Sequence, residues 1–384
     1  MGAHPSPIVR RPDRERLDAL TGIRAVAALW VAVYHFQDKL LVLVPALRVG
    51  SPVLSAGYLG VDLFFTLSGF IMAYNYLDRL GRRPSLTLYG RFLWLRVARI
   101  WPVHFFTLNV MLALVIGAHL AGVTLNSAES IRYGPGAYAE NLTLTQVWWR
   151  PGLSFNGPAW SVSAEWFAYL LFPVAAVVVV RSRSAWVSWA GLGLCYGLLE
   201  WRFALLVEGG AGATSGALSR VGLEFLAGCF LYRIWRSGRS PRAGVLMLGT
   251  ALAGLAAGVW ALDGPGYHGL LLAPLFGLVI LGIAAGADAP VVRLLARPRV
   301  VFCGEASYSL YMTHQIVNMV VSKALPADRF GSDGIVVRVV VLVGYAALVV
   351  VAAVGTYLLV ERPARDRMRA MSPPRGRHVP VPAR

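Results

Sequence analysis

The chain has 384 residues, of which 57% are hydrophobic and only 14% charged. That composition excludes an ordinary soluble domain and points to recurring apolar spans of about 20 residues, each long enough to cross a bilayer. The net charge of +17 does not point to nucleic acid, because the basic residues fall in short segments between apolar runs.

The period-two alternation of a β-barrel is absent. The predicted fold class is therefore all-α: a polytopic membrane helix bundle of about ten spans, near 18–43, 54–77, 100–122, 159–180, 184–206, 216–235, 243–262, 267–287, 300–322 and 335–360. Lys and Arg favour alternate connections by roughly three to one, which puts both termini in the cytoplasm. The expected organisation is a basic cytoplasmic tail over 1–16, a transmembrane body over 17–361, and a cytoplasmic tail over 362–384 without fixed structure. The expected location is a cell membrane, crossed many times. Cys195, Cys229 and Cys303 lie in or beside apolar segments without ligand spacing, so no metal is expected.

The first span carries both Arg24 and His35. They are eleven positions apart, about three helical turns, so they share a face and lie about 16 Å apart along the axis. Ionisable groups at membrane depth cost several kcal/mol and are usually functional. Arg24 falls in the cytoplasmic half and His35 in the outer half. This run lacks a small-residue cleavage site, so it reads as a retained span.

The second span opens with Gly60-Val61-Asp62-Leu63-Phe64-Phe65, followed by Ser68-Gly69. Asp62 lies at a depth similar to His35 and is placed to set its tautomer; the plainer reading is a first-turn carboxylate facing the helix dipole. Ser68-Gly69 reads as a close helix-packing site. Next, Arg96 and Arg99 sit at i, i+3 ahead of Pro102. Two readings stand for them: a guanidinium fork for phosphates, or an anchor on anionic lipid.

The fourth span begins Gly157-Pro158-Ala159-Trp160-Ser161-Val162-Ser163-Ala164-Glu165. Glu165 adds a second carboxylate at outer depth, again open to a dipole reading. Glu224 in the sixth span is expected to pair with an arginine. In the ninth, Tyr311 precedes His314, which alone reads as a hydrogen-bond partner between helices.

Taken together, the chain resembles the membrane O-acyltransferases of the acyltransferase-3 family. The resemblance rests on Arg24 and His35, the Gly60–Phe70 segment, Arg96 and Arg99 before Pro102, and the Gly157–Glu165 segment. Ser307-Tyr308-Ser309-Leu310-Tyr311-Met312-Thr313-His314 and the closing Glu361-Arg362-Pro363 add to it. It implies transfer of an acyl group, commonly acetyl, from acyl-CoA to a hydroxyl. The implied acceptor is a sugar of an envelope glycan or a glycosylated natural product such as a macrolide. Arg24, Arg96 and Arg99 are then expected to bind the acyl-CoA. His35, oriented by Glu165 or Asp62, is expected to act as general base, or to carry the acyl group itself. Trp160, Ser163, Tyr311 and His314 are the expected acceptor contacts. Membrane lipid, acyl-CoA and the acceptor are the expected partners. Two other classes fit the same intramembrane charges: a transporter or flippase of a polar lipid or glycoside without acyl transfer, and a non-catalytic partner in envelope assembly.

Overall fold

A computed structural model describes residues 11–123, 132–150, 152–182, 184–208, 214, 216–238, 240–262, 268–286 and 289–372. Among these residues the chain is helical, and the only β pairing is an isolated bridge between Arg132 and Ser154. An all-α architecture suits an apolar chain in lipid, because a helix satisfies its backbone groups within itself.

Among the described residues, ten helices lie where spans are expected. They are α1 (Arg11–Leu43), α2 (Gly60–Arg82), α3 (Leu86–Leu120), α4 (Ala159–Arg181), α5 (Ala185–Glu208), α6 (Ala217–Ser237), α7 (Pro241–Ala261), α8 (Ala273–Ala285), α9 (Pro298–Ala324) and α10 (Ile335–Thr356). The described residues contain six helical stretches long and apolar enough to cross a membrane, which take in α1, α2, α3, α4, α7 and α10. Two of the other helices depart from the pattern for visible reasons. α6 carries Arg220, Glu224, Arg233 and Arg236, and α8 has 13 residues.

The expectation for the C-terminal tail is corrected in part. Tyr357–Glu361 forms a π-helical turn, and Arg362–Ala370 continues as a short helix, α11. Pro363, which has no N–H to give to the helix, falls just after the π-helical turn. The remainder of the tail, 373–384, and residues 1–10 of the N-terminal tail lie outside the described residues.

Two close crossings build the centre of the bundle. α2 packs along α6, and α1 along α9. A Cβ on Gly69 would sit 1.9 Å from the Phe225 carbonyl oxygen, and one on Gly228 would sit 2.0 Å from that of Thr66. These glycines let the two backbones touch, as small residues do in membrane interfaces. Gly304 of α9 does the same against Thr21 of α1. Outside this centre, Val336, Val340, Val343 and Val350 of α10 and Trp186, Leu194 and Trp201 of α5 are exposed. Bare apolar side chains on outer helices form a surface suited to lipid.

Candidate functional site

Two cavities lie among the central helices and share Val61 and Tyr311 in their walls. The first, of about 150 Å³, takes Arg24 from α1, Ser68 from α2, Arg96 and Arg99 from α3, and Glu165 and Tyr169 from α4. Glu165 accepts a hydrogen bond from Ser68 Oγ at 2.7 Å and from Tyr169 OH at 2.5 Å. Residues 165 and 169 are one helical turn apart, so α4 alone aligns carboxylate and phenol. The two cations from α3 differ. Arg99 forms an ion pair with the buried carboxylate of Glu361, whose other oxygen accepts from Ser309 Oγ at 2.6 Å. Arg96 instead lies over aromatic faces, 5.8 Å from the Tyr169 ring centre and 5.9 Å from that of Phe92. Such contacts stabilise a cation without neutralising it.

The second cavity, of about 250 Å³, is lined by His35, Tyr34, Tyr58, Trp160, Arg220 and Gln315, among others. His35 Nδ1 lies 2.9 Å from the Val31 carbonyl and 3.3 Å from His314 Nε2. A carbonyl oxygen only accepts, so Nδ1 carries the ring hydrogen and Nε2 keeps its lone pair. His314 obeys the same logic. Its Nδ1 is 3.1 Å from the Leu310 carbonyl, which leaves its Nε2 free to accept from His35. Asn318 holds the backbone here by donating to the His35 carbonyl at 2.9 Å. Tyr311 stands between the cavities, its hydroxyl 2.7 Å from Ser161 Oγ and 3.1 Å from the Pro158 carbonyl.

Several expectations change. Asp62 does not orient His35. Its carboxylate is fully buried and gripped by Arg220, whose Nε and Nη2 donate at 2.8 and 2.7 Å. Glu165 does not orient it either, being held by Ser68 and Tyr169; the side chain that meets the His35 ring nitrogen is His314, beside the Val31 carbonyl. Ser163 faces away from both cavities and donates to the Leu144 carbonyl at 2.8 Å. The serine at the cavity wall is Ser161, two positions earlier and on the face of Glu165. Glu224 has no arginine bond among the described residues: both its buried oxygens lack a hydrogen-bond partner, while Arg220, one turn before it, turns to Asp62. Trp160 lines the second cavity, with the Arg220 guanidinium 5.7 Å from its ring centre. Arg220 and Tyr169 are site residues that sequence reasoning does not single out; Ser309 and Glu361 enter it only as members of the motifs that carry the resemblance.

The fold and site define a membrane-embedded helical protein whose guanidinium-lined cavity abuts a histidine chamber. Comparison with known proteins gives that class its family. The acyltransferase domain of the acyltransferase-3 family matches residues 17–361, and the chain belongs to that family. It is 31% identical over 330 residues to the exopolysaccharide production protein ExoZ of Rhizobium meliloti (strain 1021), covering 82% of this chain and 91% of that one. It is 30% identical over 332 residues to the acyltransferase MdmB of Streptomyces mycarofaciens, covering 80% of each. No solved structure matches the chain.

Proposed function

We propose that this membrane acyltransferase moves an acyl group, acetyl in the first instance, from acyl-CoA to a hydroxyl of a sugar. The acceptor belongs to an envelope glycan or to a glycosylated natural product such as a macrolide. The observation that carries the reading is the adjacency of the two cavities. A cation-lined pocket and a chamber with a basic imidazole nitrogen share one wall, at Tyr311 and Val61.

In this reading the first cavity takes the donor. Arg24, Arg96 and Arg99 counter its negative charge and Glu165 fixes the polar lining through Ser68 and Tyr169. The second cavity takes the acceptor, with Tyr34, Tyr58 and Trp160 offering flat faces for a sugar ring and Gln315 a polar edge. His35 Nε2 removes the proton from the acceptor hydroxyl as its oxygen attacks the thioester carbonyl carbon. The carbon–sulfur bond then breaks, and the departing thiolate takes up the proton from the imidazolium. The ester and free CoA are the products. His314 acts through His35, sharing its Nδ1–H with the Val31 carbonyl. Asp62 supports the same chamber at one remove by holding Arg220. The body over 17–361 carries all of these residues, and the charge asymmetry of the connections supports a cytoplasmic opening for the donor cavity.

ExoZ is described by its part in exopolysaccharide production and MdmB as an acyltransferase. Both descriptions fit acyl transfer to a glycan or a small molecule. The test is purified protein in lipid with acetyl-CoA labelled in the acetyl group, together with glycan and metabolite extracts as acceptors. Labelled ester and free CoA are expected in equal amounts. Uptake of an unmodified glycoside into vesicles without release of CoA would instead support a transporter.

A further inference from the structure

The helix α11 carries Arg362, Arg365, Arg367 and Arg369 within nine residues. It is fixed beside the first cavity. Trp94 of α3 donates its indole N–H to the Met368 carbonyl at 2.7 Å. Glu361, immediately before α11, pairs with Arg99 and lies 3.7 Å from Arg365. Arg365 and Arg369 are one turn apart and so share a face. Arg369 lies within electrostatic reach of Arg365, Arg99 and Arg96. Arg367 lies on the opposite side of the helix.

Among the described residues these four guanidiniums are not balanced: the carboxylates beside them are Glu361 and Asp366. Glu361 is buried and already shared among Arg99, Arg365 and Ser309. Asp366 is largely exposed and 3.6 Å from Arg365 Nε. Arg369 is exposed and forms no ion pair among the described residues. Like charges gathered at a cavity edge repel one another and leave a positive potential that draws a polyanion.

We infer that Arg365 and Arg369, together with Arg96, form a phosphate-binding collar for the nucleotide end of the acyl-CoA donor. The inference rests on the acyl-CoA reading above. Guanidinium forks match phosphate oxygens in geometry and charge. A collar outside the cavity fits a donor whose thioester enters while its phosphates stay at the mouth. The same chemistry would recognise a lipid phosphate, so the test separates the two sources.

Full-length wild type, Arg369→Gln and Arg367→Gln are placed in nanodiscs of phosphatidylcholine, and separately in nanodiscs enriched in phosphatidylglycerol. Binding of CoA and of phosphate-free pantetheine is measured by calorimetry. Wild type is expected to prefer CoA in both lipids. Arg369→Gln is expected to weaken CoA binding about tenfold in both, the scale of one charge-assisted hydrogen bond. Pantetheine binding stays unchanged, and so does CoA binding by Arg367→Gln, which removes equal charge from the other face. If wild type prefers CoA but Arg369→Gln binds it equally well, the collar is wrong and the donor reading survives. Equal losses in both variants, or a loss confined to the anionic nanodiscs, also overturn the collar. If wild type binds CoA no better than pantetheine, the donor reading falls and the collar with it.

Discussion

His314 Nε2 lies 3.3 Å from His35 Nδ1, so across the α1–α9 crossing it shares with the Val31 carbonyl the one hydrogen that Nδ1 carries. His35 lines the acceptor chamber and His314 is fully buried behind it. The two rings therefore have unequal parts. Replacing His35 with alanine is expected to lower acyl transfer about 10³-fold, the scale of a lost general base. His314→Ala is expected to lower kcat about tenfold while leaving KM for both substrates unchanged, because Nδ1–H keeps the Val31 carbonyl as a partner. His314→Gln, which restores an acceptor, recovers part of that loss. Steady-state kinetics of the three variants check the ranking; a KM effect without a kcat effect in His314→Ala would remove its positioning role.

The pair Asp62–Arg220 is a buried, bidentate ion pair inside the bundle. Asp62→Ala strands a buried guanidinium, and a loss of about 3–5 kcal/mol of stability is expected. Asp62→Ala combined with Arg220→Ala should recover part of it. Unfolding in detergent by heat or denaturant measures both. A wild-type midpoint for Asp62→Ala would show that the pair is not structural.

The serines of the fourth span separate by face. Ser161→Ala removes the hydrogen bond to Tyr311 at the wall between the cavities, and about a tenfold loss of turnover is expected. Ser163→Ala removes only a bond to the Leu144 carbonyl. It is expected to cost about 1 kcal/mol of stability and little turnover. The reverse pattern in paired activity and melting measurements would put the cavity wall in the wrong place.

At the α2–α6 crossing, Gly69→Ala adds a methyl where the Phe225 carbonyl oxygen stands 1.9 Å away. The helices must part, at a cost of about 1–3 kcal/mol. Gly344 has open space at the corresponding Cβ position, so Gly344→Ala serves as the tolerated control. Yield of folded protein by size-exclusion chromatography compares them.

Much of this arrangement is legible in the sequence. A charge inside an apolar run carries a cost that marks it, so Arg24 and His35 stand out from their flanking residues alone. Helix geometry puts Arg96 and Arg99 on one face and Ser161 on the face of Glu165. Pairing across helices is a different matter. Asp62 and Arg220 are 158 positions apart, and nothing local in α2 says which cation will reach it. Similar depth suggests His35 as the neighbour of Asp62, but depth fixes only one coordinate of three. Ser163 misleads for a simpler reason: it shares a motif with Ser161 yet points some 200° away around the helix. The basic segment 362–370 resembles a solvated tail by composition, and its order comes from tertiary partners, Trp94 and Glu361, that composition does not reveal.

The central claim is that this chain transfers an acyl group with His35 as the base. Its most direct test is mass spectrometry of glycans and secondary metabolites from cells carrying the wild-type gene, no gene, or His35→Ala with confirmed membrane expression. An acylated glycoside, heavier by one acyl group, is expected with wild type alone. The same product at the same level with His35→Ala would contradict it.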